Sequence, residues 1–427
     1  MKNTAYLLRL RDGAYSVSSL LAILQIVIAA SNFIITPLVI GKLGGKSYAT
    51  WITINAFSGL LLLADWGFLN TFRVRMTGIY IQDKLFVRAI WKKANLYMHF
   101  SAVIGVFLLA LTIRWGPLKS LDWQGQSLHL FALGLLTAYF TLFEHLYLVK
   151  FQILGSELKA TSILVVIRTL EGVSQVLLLI IHPSVDLIFV IALIFRLGSL
   201  VTLALNGPKN LKALDSNSLY KTSKFEVLRE STGASMFVLS NVIYANVLTL
   251  VLSKVLTTEL LIVVQISRMI VSPIKIIGSS VSMGTLQNQL RINLYNSKNS
   301  LEINRKTNLY FIYFLLLCAV LISILASPIW KVFFSNVTGF NQTLVILFAV
   351  QYVFDSLIWV NSREFYNKNR LFKLGLCNLA LSSFGVLSIP VFFTHFEILG
   401  VPFSLVVFDI LLLSAILSLK GRKWLLK

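Results

Sequence analysis

The sequence predicts an all-α polytopic membrane protein, about twelve transmembrane helices in two pseudo-symmetric six-helix lobes. Three observations carry this. Of the 427 residues, 57% are hydrophobic and only 13% charged, where a soluble chain carries about 25% charged residues. The mean hydropathy is +0.80, and apolar runs of about 20 residues, each able to cross a ~30 Å hydrocarbon core as a helix, recur from end to end. Basic residues also alternate in density between successive connections, as the loops of a multi-pass chain do.

The runs fall at about 17–40, 48–69, 95–113, 128–149, 160–181, 186–205, 232–252, 260–283, 308–327, 343–361, 373–393 and 398–419. The first follows "MKNTAYLLRLRDGAYS". That segment is basic, but the span after it is too long for a signal-peptide core, so it reads as an amphipathic entry to an uncleaved helix. Pro37, Pro273 and Pro390 interrupt the first, eighth and eleventh runs, and the eighth also carries Gly278. Such breaks are tolerated in lipid where the freed backbone groups find new partners; each reads equally as an ordinary kink or a hinge. Cys318 and Cys377 fall inside runs and read as small buried hydrophobes, without metal spacing.

No connection is long enough for a further domain. The longest, 206–231, separates an N-terminal lobe (1–205) from a C-terminal lobe (232–419) that ends in a short tail (420–427). The halves repeat weakly. "LVIGKL" (38–43) matches "LVLSKV" (250–255), and "FEHLYLV" (143–149) matches "FDSLIWV" (354–360), at offsets of 212 and 211. Six spans per half make both repeats enter the membrane in the same sense, so substrate is expected between the lobes.

With the N-terminus in the cytoplasm, cytoplasmic segments hold 28 Lys and Arg, outer loops six, and the spans four. This bias sets both termini inside. The net charge of +21 would suggest nucleic acid in a soluble chain; here it reads as topology, supplemented by attraction to anionic membrane lipids. No nucleic-acid partner is expected.

A charge at the bilayer centre costs at least ~2.5–3.5 kcal/mol on insertion scales, so each needs a partner or an aqueous cavity. The candidates are Asp65, Glu144, Arg168, Glu171, Arg196, Arg268, Lys275, Asp355 and Asp409, with His145 beside them. Glu144 precedes Lys150 by six residues, about 9 Å at 1.5 Å per residue, and Arg168 lies at an overlapping depth in the next run. Arg168 and Glu171, three apart, share a helix face. These three predict an ion network, either structural, ion-coupling or in contact with substrate. Asp355 occupies in the second half the place of Glu144 in the first, with Ser356 in that of His145. His145 is thus peculiar to the first half and a candidate pH-sensitive group. Arg268 and Lys275, seven apart, fall on one helix face. With Arg168 and Arg196 they predict a cationic cavity suited to phosphate, which a guanidinium fork or an ammonium can hold.

Several patterns are set aside. "GKLGGKS" (41–47) has Ile40 where a phosphate loop needs its first glycine. The sequons "NVT" and "NQT" at 336–338 and 341–343 are short enough to arise by chance. No metal cluster or nucleotide motif stands out, so neither a metal nor a bound cofactor is expected.

The stretch "KLGGKSYATWITINAFSGLLLLADWGFLNTF" (42–72) resembles the loop and second helix of Wzx-type O-antigen flippases, polysaccharide exporters of the multidrug/oligosaccharidyl-lipid/polysaccharide (MATE-like) superfamily. The matching elements are Leu43 and Gly44 before Tyr48 and Trp51, then Asp65 and Gly67; Ala49 departs from a common glycine. The resemblance implies a MATE-like fold. It further implies translocation of an undecaprenyl-diphosphate-linked oligosaccharide across a bacterial inner membrane by alternating access, with a polysaccharide polymerase and chain-length regulator as further partners. Asp65 is its one motif-borne ionisable residue, and reads equally as helix packing. Without an ATP motif, a proton or Na+ gradient or downstream consumption of the glycan supplies the drive. A multidrug cation antiporter of the same superfamily is the alternative. A membrane-embedded polymerase or glycosyltransferase would need a larger outer loop than 114–127 or 328–342, where Asp122 is the lone acid.

Overall fold

A computed structural model describes residues 2–65, 69, 84–115, 128–153, 156–207, 232–233, 235–237, 239–293, 300–367 and 371–421. Among these the regular structure is helical throughout. In chain order the helices are α1 (Lys2–Gly59), α2 (Lys84–Trp115), α3 (Leu128–Ile153), α4 (Glu157–Ile181), α5 (Val185–Asn206) and α6 (Leu248–Val255). They continue as α7 (Thr258–Asn293), α8 (Ser300–Phe333), α9 (Gln342–Asn367), α10 (Leu371–Leu387), α11 (Ile389–Phe396) and α12 (Gly400–Gly421). A 3-10 turn, Leu60–Asp65, follows α1, and a π turn, Ile243–Val247, leads into α6.

The described parts of the twelve expected spans are helical; the second runs on into the 3-10 turn, and the seventh covers helical residues 235–237 and 239–242, the π turn and the start of α6. The first two share α1, which is divided at Gly44, φ 84° and ψ 165°. That backbone region belongs essentially to glycine, because any Cβ strains there. Proline acts unevenly. α1 and α7 run through Pro37 and Pro273, whereas the eleventh span divides at Ser388, with Pro390 in the first turn of α11. There a missing N–H loses no intrahelical bond. Cys318 and Cys377 are free and partly buried.

α4 shows why lipid is the solvent. Its buried face carries Leu164, Arg168, Glu171, Gln175 and Leu179, while Val166, Leu170, Val173 and Leu177 are exposed. A water-soluble helix turns its apolar face inward; here the ionic face is inward and the apolar face outward. Exposed Phe100 and Phe107 on α2 and Leu317, Leu321 and Ile324 on α8 continue the apolar exterior. The chain is a multi-pass membrane protein.

Packing differs between the two ends of the bundle. At one end a single apolar core crosses both halves, joining Ile35, Val39 and Ile54 of α1 to Leu252, Val264 and Phe348. Phe33 packs edge-on against Phe333 and Phe334, with ring centroids 5.0 and 5.6 Å away. At the other end the described cores are separate. Leu61, Met98 and Leu146 form one and Leu24, Phe151 and Leu203 another, both within the first half. Phe237, Leu374 and Ile416 form a third within the second. Among the described residues the halves share an apolar core at one end, and each core toward the end where α1 begins and α12 finishes lies within one half.

Candidate functional site in the interlobe cavity

Between the halves lies a cavity of about 570 Å³, within the ~300–1,000 Å³ typical of small-molecule sites. Its walls carry side-chain amides from both halves: Asn32, Asn55 and Gln175 from the first, Asn246 and Gln265 from the second. Such groups offer a donor and an acceptor together. The charged lining is Arg168, Glu171, Arg196 and Arg268.

The first half builds an alternating ion network. Arg168 reaches from α4 to Glu144 on α3 through Nη2, and to Glu171, one turn along α4, through Nη1 at 2.5 Å. The Ser199 hydroxyl donates to Glu144 Oε2 at 2.6 Å. Arg196 on α5 stands 3.7 Å from Glu144 and 3.6 Å from Glu171. Two cations thus face two acids, and the cluster sums to zero.

The second half holds a similar arrangement of different design. Lys275 on α7 pairs with Asp355 on α9 at 2.9 Å and lies 5.7 Å from the centre of the Tyr352 ring. Asp409 on α12 accepts from the Tyr244 hydroxyl and from Gln351 Nε2, both at 2.8 Å. Tyr244 sits in the π turn, the kind of single-turn bulge that recurs at functional sites. Its backbone oxygen accepts from Arg268 Nη2 at 3.3 Å, and Gln265 Oε1 accepts from Nη1 at 3.3 Å. Among the described residues no carboxylate lies within 4.0 Å of Arg268.

The structure redistributes the residues singled out above. Arg168, Arg196 and Arg268 line the cavity; Lys275 does not, being turned to Asp355. Counting cations without their acids overstated the charge, because Glu144 and Glu171 balance Arg168 and Arg196. His145 is exposed and absent from the cavity wall: a step of about 100° per residue turns it away from buried Glu144. Asp65 closes the 3-10 turn, but its side chain, like Gly67, lies outside the described residues. Sequence reasoning passed over the amides and Tyr244. The amides had a signal, since each interrupts an apolar run; the π turn had none.

No family model and no curated protein matches the chain. Solved structures do. A MATE in complex with MaD5 superposes with a TM-score of 0.66 at 17% identity, over 97% of each chain. The chain has the MATE fold. A second match, at 0.62 and 15% identity over 96% of this chain and 95% of that one, is an outward-facing multidrug resistance MATE family transporter of the MOP superfamily. A third is a MOP superfamily transporter from Pyrococcus furiosus, with a binding pocket whose reverse polarity suggests a different function. It matches at 0.58 and 16% identity over 97% of this chain and 95% of that one. The MATE fold thus extends over nearly the whole length, and its central cavity is the candidate site.

Proposed function

We propose that the protein is a flippase for an undecaprenyl-diphosphate-linked O-antigen or related surface-glycan repeat unit. It moves the unit from the cytoplasmic to the periplasmic leaflet of a bacterial inner membrane. The observation that carries this is Arg268, a cavity cation with no carboxylate within 4.0 Å among the described residues, set among amides from both halves. A guanidinium holds phosphate oxygens in its planar fork, and the amides suit sugar hydroxyls. That one protein of this fold is described as carrying a pocket of reverse polarity supports a cavity specialised away from multidrug export.

The reading expects alternating access around this cavity, and one protein of the fold is described in an outward-facing state. The distribution of basic residues supports a cytoplasmic placement of both termini, on the side where the lipid-linked unit is made. A polysaccharide polymerase and chain-length regulator would take the product on the far side. Coupling to a proton or Na+ gradient fits a carrier without nucleotide chemistry.

Glu171 favours a second reading, a multidrug cation antiporter, since it places a carboxylate on the cavity wall. Both its oxygens face guanidinium groups, however, so a cationic drug would first have to displace Arg196. Deletion of the gene separates the two. The flippase reading expects loss of surface polysaccharide with lipid-linked repeat units accumulating on the cytoplasmic leaflet. An unaltered surface glycan with raised drug sensitivity would refute it and support the antiporter.

A further inference from the structure

At the end where the halves share one apolar core, the segment between α8 and α9, residues 334–341, is folded onto itself. Trp330 Nε1 donates to the Val337 carbonyl at 3.1 Å, and the Val337 N–H donates to the Phe334 carbonyl at 2.9 Å. The Trp330 ring packs against Phe334 and Phe340, with centroids 5.9 and 5.3 Å away. Gly339 adopts φ 99°, a region that glycine enters without strain. Asn341 Oδ1 accepts from the Leu344 N–H at 3.0 Å, the usual side-chain start of a helix. One indole thus closes a compact turn around its own side chains, using second-half residues alone.

This turn reaches the first half. Phe334, 2% exposed, and Phe333 both stand edge-on to Phe33 of α1. Asn336 Nδ2 lies 4.0 Å from where a Cβ on Gly41 would be. Nearby, a Cβ on Gly45 would meet Ile262 Cδ1 of α7 at 2.8 Å. Toward the cavity the Thr36 hydroxyl donates to the Met269 sulfur at 3.6 Å, and both residues line the cavity wall. The ion pairs lie elsewhere: those of His129, Arg168 and Arg196 stay within the first half, and that of Lys275 within the second. Apolar contact is non-directional, so this junction can part and close again without stranding a buried charge.

We infer that the turn 334–341 is a preformed strap across the junction of the halves, with Phe334 seated against Phe33 as its key contact. The cavity opens past this end only when that contact parts. Because Trp330 holds the turn folded, the strap leaves with α8 and α9 as one piece and returns to the same seat. That is the behaviour of a bistable interface rather than of a flexible loop. The distribution of basic residues supports placing this end on the outer face. A strap of this kind serves any cargo, so it stands or falls separately from the flippase reading.

Opening is read by thiol trapping on the full chain in lipid nanodiscs, with Cys318 and Cys377 changed to serine and no cargo added. Val39→Cys places the reporter in the core shared by the halves, where Val39 is 0% exposed. Leu142→Cys places a second reporter in a first-half core, at 1% exposed. A water-soluble maleimide reaches either thiol only on opening, at a rate that follows the open fraction when reclosing is fast. Phe33→Ala and Phe334→Ala should each speed labelling at position 39 by at least about twofold to tenfold, the range an edge-on aromatic pair contributes beyond burial. Neither should speed labelling at position 142. The double variant should gain little over the single ones, because both remove one contact. Trp330→Phe, which keeps a ring but loses the N–H, should also speed labelling at position 39. Phe107→Ala, on the exposed face of α2, should change neither position. Phe33→Leu, which keeps bulk but loses the ring contact, serves if an alanine variant fails to fold.

Unchanged labelling at position 39 in Phe33→Ala and Phe334→Ala overturns the strap. Equal acceleration at position 142 also overturns it, because the whole chain would then have loosened. Single effects that multiply in the double variant overturn the pairing of Phe33 with Phe334, and a Trp330→Phe variant without effect overturns the part given to the indole. The fate of the surface glycan on gene deletion bears on the flippase reading alone.

Discussion

Replacing Arg168 by methionine tests whether the first-half network is buried protein structure or water-screened cavity lining. Exposed ion pairs contribute about 0–1 kcal/mol, whereas removing one partner of a buried pair costs about 3–5 kcal/mol. The geometry selects the second regime, since the Arg168, Glu144 and Glu171 side chains are 3%, 5% and 9% exposed. Arg196 remains at 3.6–3.7 Å and neutralises one of the two stranded acids, which puts the loss near the lower end, about 3 kcal/mol. At about 2–4 °C per kcal/mol for a cooperative unit of 150–250 residues, the melting temperature should fall by about 6–12 °C. The assay is thermal unfolding of the purified full chain in detergent, followed by tryptophan fluorescence. Arg168→Met combined with Glu171→Gln leaves one acid, Glu144, facing one cation, Arg196, and should recover about half of the loss. A fall below about 2 °C would mean that water screens the network. A double variant no more stable than Arg168→Met would mean that charge balance is not what the arginine supplies. Either result refutes the reasoning.

Lys275→Met should destabilise by the same route but less, because the Lys275 side chain is 35% exposed; a loss equal to that of Arg168→Met in the same assay would contradict the difference in burial. Gly44→Ala should cost about 1–3 kcal/mol from backbone strain alone, since its φ is 84° and an added Cβ would meet no atom within 4 Å. Unchanged thermal stability in that variant would show that the turn between the first two spans tolerates a side chain.

Most of the fold was legible because lipid imposes length and polarity on each span independently of its neighbours, and twelve runs could be read one at a time. The site was legible only where local geometry carried it. The i, i+3 spacing of Arg168 and Glu171 and the shared depth of Glu144 depend on helix rise alone, and the structure has all three in contact. Lys275 defeated the same arithmetic. Seven residues from Arg268 gives a common helix face, since α7 runs on through Pro273, but a shared face does not fix which partner a side chain meets. The side chain meets Asp355 of α9 instead, a partner eighty residues away that no helical spacing could supply.

The sign of the cavity follows from the same distinction. By composition, four interior cations made a strongly basic site; by pairing, two are consumed by carboxylates of the same half, and among the described residues only Arg268 faces the cavity with neutral partners alone. Arg196 lies between these cases, paired with two acids at 3.6 and 3.7 Å while also lining the cavity. On the flippase reading a carrier uses that intermediate state, because a cation bonded as tightly as Arg168 could not exchange an acid for a phosphate. Arg268, with no carboxylate within 4.0 Å among the described residues, depends on the neighbouring amide and the carbonyl of the π turn to stay inside an empty cavity. The unequal pairing of the two arginines therefore suits a site that must be stable both loaded and unloaded, and a count of charges along the sequence does not contain it.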